Sequence, residues 1–417
     1  LKIHKVRSGS EMRVLVVGGY GAQGQVICRE LVKNPKVSEV VCAGRRLEEA
    51  KKFVAKHRSK KLSASAVDLG NISEMNAAVK KTDLVVNAAS YIYNLRLMKS
   101  CAQNGVNYQD LASAWSIETM GKTMEEAIDK EAALDQKFRD AGAVALISTG
   151  EDPGISDVIA GYAADNLDHI YEVRMKDCGM LKAKEPISTW APELLWRDMT
   201  TPAIVWENGK YRRVPPFSDE EIYSFPEPLG PQPCYQHLHE EPVIMPMYLK
   251  DLRYVDFKMC GPDMPFAKAL YDYGLAKPGS VEVKGTKVSP LDVFLKLSPR
   301  ALTQEETQKK IANGILQDEI CCLSLDVKGE RKKKAVELKF YTMLTLKEAN
   351  KRMPGATATS YFVGTGGEVF SELLAERKIT TKGVAPPEAL RPSEKVAVIQ
   401  RLADKGIAIH KTKHVVL

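Results

Sequence analysis

The run Val16-Val17-Gly18-Gly19-Tyr20-Gly21-Ala22-Gln23-Gly24 carries the spacing G-x-G-x-x-G at Gly19, Gly21 and Gly24. That spacing suits a dinucleotide pyrophosphate. The first glycine makes a tight turn, the second admits the phosphates to the backbone, and the third lets a helix approach the preceding strand. A helix opening at Ala22 turns its unpaired N–H groups and positive dipole end toward the phosphates, so Tyr20, Ala22 and Gln23 are cofactor-binding candidates too. About 20 residues beyond the last glycine, an NAD site usually supplies an acid for the ribose hydroxyl. Arg45 and Arg46 stand there instead. A guanidinium pairs bidentately with a 2′-phosphate and stacks on adenine, so NADP is the expected cofactor, with NAD the alternative. Asp68 and Leu69, then Asn87, Ala88 and Ala89, close the next two candidate strands and complete the expected cofactor contacts.

Hydride chemistry belongs to the cofactor, so the protein must hold a substrate carbon and manage protons. Asp110 closes the fifth candidate strand and reads either as an acid–base group or ammonium ligand, or as a helix N-cap. Tyr91, on the edge that follows Asn87, is a second catalytic candidate. Asp152-Pro153-Gly154 reads as N-cap, first-turn proline and tight approach. In His237-x-His239, followed by Glu240 and Glu241, both imidazoles would share one side of a strand, as zinc could use. The sequence has no third spaced ligand pair, so no metal is expected; His237 is taken as a substrate-facing catalytic candidate, against a plain surface pair. Cys321-Cys322 reads as strand residues with one thiol in the core and no redox role. The basic run 331–334 reads as a solvated hairpin tip, and Trp190 and Trp196 as packing residues or substrate walls.

Six short apolar runs (13–17, 38–43, 62–67, 83–87, 106–109 and 143–147) alternate with amphipathic segments (22–33, 47–58, 71–80, 92–104 and 129–141). Parallel neighbours need crossover connections, so this alternation predicts a doubly wound α/β Rossmann domain over 12–150. Beyond it the chain turns rich in Pro, Trp, Tyr and Phe, with turns at Glu207-Asn208-Gly209 and Pro215-Pro216 and a hairpin over 318–344 turning around Gly329-Glu330. These features predict a second, α+β domain over 151–345, inserted before a C-terminal segment, 346–417, that returns to the first. That segment holds a helical pattern at 365–376, a Pro386-Pro387 linker and a basic tail. Residues 1–11 are polar and basic and receive no structural role.

The length of 417 residues allows two or three domains, and 44% hydrophobic with 27% charged residues excludes disordered and collagenous classes. A formal net charge of +7 is small for this length and argues for neither nucleic-acid nor membrane partners. No apolar run approaches the ~18 residues of a membrane helix, and no apolar signal core is visible. Eight scattered cysteines suit a reducing compartment better than a disulfide framework, so a cytoplasmic protein is expected.

In order, GGYGAQG, AGRRLEEAKK, NAASYIYN, NGVNYQDLA, STGEDPGISD, DCGM, STW, LKDLRY and KITTKGVAPPE resemble the saccharopine dehydrogenase-like family over nearly the whole chain from Met12. That family includes saccharopine reductase, lysine 6-dehydrogenase and carboxynorspermidine synthase. The resemblance implies NAD(P)-dependent redox chemistry at a C–N bond of an amino acid, an inserted second domain and a homodimer. It also implies that the turn at Asp152 and Gly154 lies beside nicotinamide and substrate. Where members continue LRY with Pro-Gly-His, this chain has Val255-Asp256-Phe257-Lys258, and its arginine pair departs from the acid of NAD-linked lysine 6-dehydrogenases. The expected activity is an NADP-preferring amine or imine oxidoreductase with a small amino-acid substrate. NAD-linked lysine 6-dehydrogenase and a redox-sensing NADP-binding regulator without turnover are the alternatives. A guanidinium best clamps a substrate carboxylate; Arg253, within LRY, is the preferred clamp, ahead of Arg174 and Arg197, with Trp190 beside it.

Overall fold

From Met12 the chain alternates β1 (Met12–Val17), α1 (Ala22–Leu31), β2 (Val37–Gly44), α2 (Leu47–His57), β3 (Leu62–Ala66), α3 (Ile72–Val79), β4 (Leu84–Asn87), α4 (Asn94–Asn104), β5 (Asn107–Asp110), α5 (Met124–Ala132), α6 (Asp135–Asp140), β6 (Val144–Leu146) and α7 (Ile155–Asp165). The computed structural model describes residues 11–415, and the expectation for residues 1–10 lies outside the described residues. Val14–Val17 and Leu84–Asn87 are buried throughout, as strands covered on both faces must be. Local chemistry sets the helix starts: Asn71 Oδ1 accepts from the Ser73 and Glu74 amides at α3, and Thr123 and Glu126 form a capping box at α5. The helical segment expected over 129–141 is two helices, α5 and α6, broken at Ala133-Leu134.

The chain continues through β7 (His169–Ala183), α8 (Pro192–Thr200), β8 (Ala203–Glu207), β9 (Lys210–Val214), β10 (Glu221–Ser224), β11 (Pro231–Gln236), α9 (Glu241–Tyr248), β12 (Tyr254–Cys260), α10 (Met264–Asp272), β13 (Val281–Val283), β14 (Thr286–Val288), α11 (Pro290–Leu297), α12 (Gln304–Ala312), β15 (Leu316–Arg331), β16 (Lys334–Thr345), α13 (Leu346–Arg352), α14 (Ala358–Ala375), β17 (Gly383–Ala385), α15 (Pro392–Asp404) and β18 (His410–Val415). The chain forms two compact units: residues up to Asn166 with Phe362–Ala408, and Leu167–Tyr361 with the strand after Ile409. The divisions fall at 166 and 361 rather than at 150 and 345. One reason is that α7 belongs with the first unit, where Asp165 pairs with Lys395 of α15 at 2.9 Å.

The first unit holds a parallel seven-stranded sheet in the order β17-β6-β5-β4-β1-β2-β3. The second holds a mixed sheet ordered β10-β11-β12-β7-β15-β16-β18, with β8 and β9 attached at β12. Asn208 and Gly209 take positive φ at the β8–β9 turn, where the sequence places one. Three sequence readings are corrected. The long hairpin turns at Lys332-Lys333, both at positive φ, because Gly329 stays in register opposite Val336 and lies against the His169 carbonyl. Pro386-Pro387 is no free linker: β17 beside it pairs with β6, and Pro387 and Glu388 are buried in a 3-10 turn. Cys234 and Cys260 face each other across β11 and β12 as a disulfide, with Cα atoms 4.1 Å apart, so the cysteines are not all free. Among the described residues no helix is long and apolar enough to cross a membrane.

Candidate active site

The glycine run folds into a cradle after β1. Gly18, rather than Gly19, carries the left-handed turn at φ +80°, because a side chain there would collide with the Ala88 carbonyl. Gly21 N–H donates back to the Gly18 carbonyl at 2.8 Å, closing the turn. Gly19 instead packs against the thiols of Cys28 and Cys42, and Gly24 brings α1 onto the Gly18 backbone, where a Cβ would collide. At Gly21 only the Gly18 carbonyl is near, leaving room for a phosphate. The N-terminus of α1 has no side-chain cap and no acid in its first turn, so its N–H groups suit a pyrophosphate. The cradle therefore fits a dinucleotide.

Tyr20 organises the adenosine side. Its hydroxyl accepts from the Arg46 amide at 3.1 Å, its ring lies against Gly44, and the Arg46 guanidinium sits 5.7 Å from the ring centroid. Arg45 and Arg46 are both exposed at the end of β2, where a 2′-phosphate would be met. Asp68 accepts from the Gly70 amide at 2.9 Å in an Asx turn, while the Leu69 side chain is buried in the core and offers a ligand only its backbone. Asn87 donates to Asn94 Oδ1 at 2.8 Å, and Asn94 donates to the Ala112 carbonyl at 2.9 Å, tying the ends of β4 and β5 together. Ala88 is held by its N–H to the Val17 carbonyl at 2.9 Å, and Ala89 is exposed beside it. Tyr91 opens a 3-10 turn capped by Ser90.

Asp110 ends β5 and is buried, with 1% of its surface exposed. Oδ1 accepts the Ser148 N–H at 2.7 Å, and its backbone carbonyl accepts from Thr149 N and Oγ1, so it shapes the turn after β6 and is no helix cap. Burial pushes its carboxyl up to about 7, against the hydrogen bond from the Ser148 N–H. The following turn corrects another reading. α7 begins at Ile155 with Gly154 as its N-cap, so Asp152 is not the cap and Pro153 is not the first helical residue. Gly154, at φ +136°, is pressed against Gly150, and its N–H donates to Asp157 Oδ2 at 2.6 Å.

In the second unit the expected substrate clamp does not assemble. Arg253 is exposed near the start of β7, its guanidinium 4.4 Å from the Tyr171 ring centroid, on a groove with Lys328 and Glu330. Trp190 follows the other end of β7, and the strand from Tyr171 to Ala183 alone covers about 40 Å. The two cannot hold one small substrate. Arg174 pairs with Glu172 at 3.3 Å and lies 4.2 Å from the Tyr254 ring centroid, already engaged on the sheet. Arg197 donates to its neighbour Asp198 at 2.9 Å. Trp196 meets Phe294 edge-on at 4.7 Å, a packing role. His237 is buried, and burial together with His239 and Arg197 holds its imidazole well below the ordinary range, hence neutral. His239 stacks on Phe257, with ring centroids 3.9 Å apart.

A parallel sheet with a glycine cradle, an unopposed helix N-terminus and paired arginines defines a dinucleotide-binding protein. The saccharopine dehydrogenase NADP binding domain is matched over residues 14–146 and the saccharopine dehydrogenase C-terminal domain over 150–407. The chain belongs to the saccharopine dehydrogenase family, NAD(P)-dependent oxidoreductases acting on CH–NH groups. Carboxynorspermidine synthase of Vibrio alginolyticus is 28% identical over 304 residues, 69% of this chain and 73% of that protein. Carboxyaminopropylagmatine dehydrogenase of Synechocystis sp. is 24% identical over 405 residues, 96% of this chain and 97% of that one. The apo saccharopine dehydrogenase (L-Glu forming) of Saccharomyces cerevisiae shares the fold, with a TM-score of 0.72 at 16% identity over 97% of this chain and 100% of that one.

Proposed function

We propose that this protein oxidises or reduces a C–N bond joining an amine to an amino-acid carbon, with NADP(H) preferred. The observation that carries this reading is Asp110: a buried carboxyl at the carboxyl end of the parallel sheet, raised to about 7, where proton transfer at neutral pH is most effective. The bound cofactor supplies a two-electron hydride acceptor or donor at that edge. When a secondary amine becomes an imine, a hydride leaves carbon and a proton leaves nitrogen; Asp110 takes up the proton, and in reduction it returns it. The turn that Asp110 builds with Ser148 and Thr149 shapes the edge against which the substrate rests. The two sequence relatives have names that join a carboxy group to norspermidine and to aminopropylagmatine, which favours a polyamine-like amine over lysine.

The test follows reduced nicotinamide by absorbance with saccharopine, lysine and N-carboxyalkyl polyamines under both cofactors, in wild type and in Arg45→Asp/Arg46→Ala. The wild type turns over a C–N substrate and prefers NADPH. The double variant narrows that preference by about 10-fold or more, because a charge-assisted phosphate contact is lost. An unchanged preference rejects the NADP assignment. Tight NADPH binding with no turnover of any of these substrates leaves a regulator.

We also infer a homodimer. Phe266, Tyr273, Leu275, Val281, Val283, Val293 and Leu297, from α10 to α11, are all exposed, and so much apolar surface in one chain segment favours an isologous partner. Light scattering at micromolar concentration gives twice the chain mass, and Phe266→Glu/Leu297→Glu shifts it toward one; a monomeric wild type overturns the inference.

A further inference from the structure

Ser148 follows β6 by two residues, at the same carboxyl edge of the parallel sheet as Asp110. Its backbone takes φ +58°, a left-handed conformation that crowds an L side chain and that glycine meets elsewhere, as at Gly142 and Gly154. Among the described residues, the other non-glycine positions with positive φ are exposed, apart from Phe217. The Phe217 ring offsets that conformation by packing against Tyr235 and Tyr271. Ser148 gains nothing comparable. Its side chain is fully buried, and its Oγ has no hydrogen-bond partner among the described residues. A crowded backbone and a buried, unbonded hydroxyl both lower stability, and glycine would relieve both. Residues kept in this way cluster at ligand clamps and active sites.

Asp110 is the second observation. The Ser148 N–H donates to its Oδ1 at 2.7 Å, while its Oδ2, also buried, has no partner among the described residues. One residue thus holds the carboxyl through its amide and carries an open hydroxyl. We propose that the Ser148 hydroxyl binds the reacting nitrogen of the substrate, as a second acceptor beside Asp110 Oδ2. The proposal rests on the C–N reading above and adds a residue to that site. A secondary ammonium carries two N–H donors, which match one carboxylate oxygen and one hydroxyl oxygen. In oxidation, one proton passes from nitrogen to Asp110, leaving a neutral amine whose remaining N–H stays on Ser148 Oγ. That bond holds the nitrogen lone pair toward the carbon to be oxidised. A hydride leaves this carbon for the bound nicotinamide, the lone pair closes the C=N bond, and the iminium keeps its N–H on Ser148. Reduction runs the same steps backwards.

Steady-state kinetics and thermal melting of the full chain decide it, with saccharopine and N-carboxyalkyl polyamines as substrates. Ser148→Gly and Ser148→Ala lower kcat/KM about 10- to 100-fold, as loss of a charge-assisted hydrogen bond does, with NADPH affinity by fluorescence titration unchanged. Ser148→Gly is as stable as wild type, because glycine accepts φ +58° and the lost hydroxyl bonded nothing. Ser148→Thr keeps the hydroxyl and most of the activity but melts lower, since a β-branched side chain suits positive φ poorly. Should the threonine variant fail to fold, the other two decide. A kcat/KM within about threefold of wild type in folded Ser148→Gly or Ser148→Ala overturns the proposal. So does a parallel loss of NADPH affinity, which would give the hydroxyl to the cofactor. A large drop in the melting temperature of Ser148→Gly also overturns it, by tying the hydroxyl to the fold. Activity lost in Asp110→Asn but kept in Ser148→Gly sinks the serine and spares the catalytic reading. Absence of C–N turnover in wild type overturns both.

Discussion

Asp110→Asn lowers kcat by about 10²- to 10³-fold while the protein stays folded, because removing a proton-transfer group costs on that order. Asparagine keeps the Oδ1 that accepts the Ser148 N–H at 2.7 Å, so the turn after β6 survives and the loss reads as chemistry rather than collapse. The pH profile gives the sign. In wild type, amine oxidation rises through about 7 as Asp110 loses its proton, and imine reduction falls over the same interval. In the variant both limbs disappear. Stability moves as well. The folded carboxyl at about 7 lies above its ordinary 3.8, so its contribution is complete below that ordinary value and is lost as pH rises toward 7. The variant's melting temperature should be flatter than that of wild type across this window. A kcat within threefold of wild type would remove Asp110 from the reaction.

The second large effect is on stability. Lys405, just past the end of α15, lies 2.8 Å from Glu368, 3.3 Å from Glu372 and 3.6 Å from Glu30. Glu368 is 0% exposed, and burial raises its carboxyl to about 8 against the pull of Lys405. Burial alone would lower the Lys405 ammonium, but Glu368, Glu372 and Glu30 hold it above its ordinary range. Lys405→Ala therefore removes the cation that Glu368, Glu372 and Glu30 share and should cost about 1–3 kcal/mol in urea unfolding. Glu368→Leu/Lys405→Met should recover most of that loss, since a packed apolar pair replaces the charges without leaving one alone. A loss below about 1 kcal/mol in Lys405→Ala would show that water reaches the site.

The parallel sheet was legible because β1, β2 and β4 are short, β-branched and buried on both faces, a pattern only crossover topology satisfies. β17 was not. It is three residues long, Gly383-Val384-Ala385, with prolines directly after it, and its partner β6 is far away in sequence. Gly329 attracted the hairpin turn because glycine favours turns, yet its missing side chain serves a close approach to His169, while Lys332 and Lys333 bend the chain. In the site, the glycine spacing located the cradle but misassigned the turn, since Gly18-Gly19 offers two glycines and only the contact with Ala88 chooses between them. The raised carboxyl of Asp110 comes from burial that no local pattern encodes. Arg253 and Trp190 each sat in a recognisable motif, and the length of β7 separates them.

The strand order has a consequence for synthesis. β6 ends at Leu146, and its outer neighbour β17 begins only at Gly383, after almost all of the second unit. On the ribosome, the first sheet therefore waits with β6 as a bare edge while the intervening sheet is made. A nascent chain that stalls or is cleaved between Leu167 and Tyr361 keeps that edge open, free to take up a strand from another molecule. The unit whose translation starts first is thus the one whose sheet must close late.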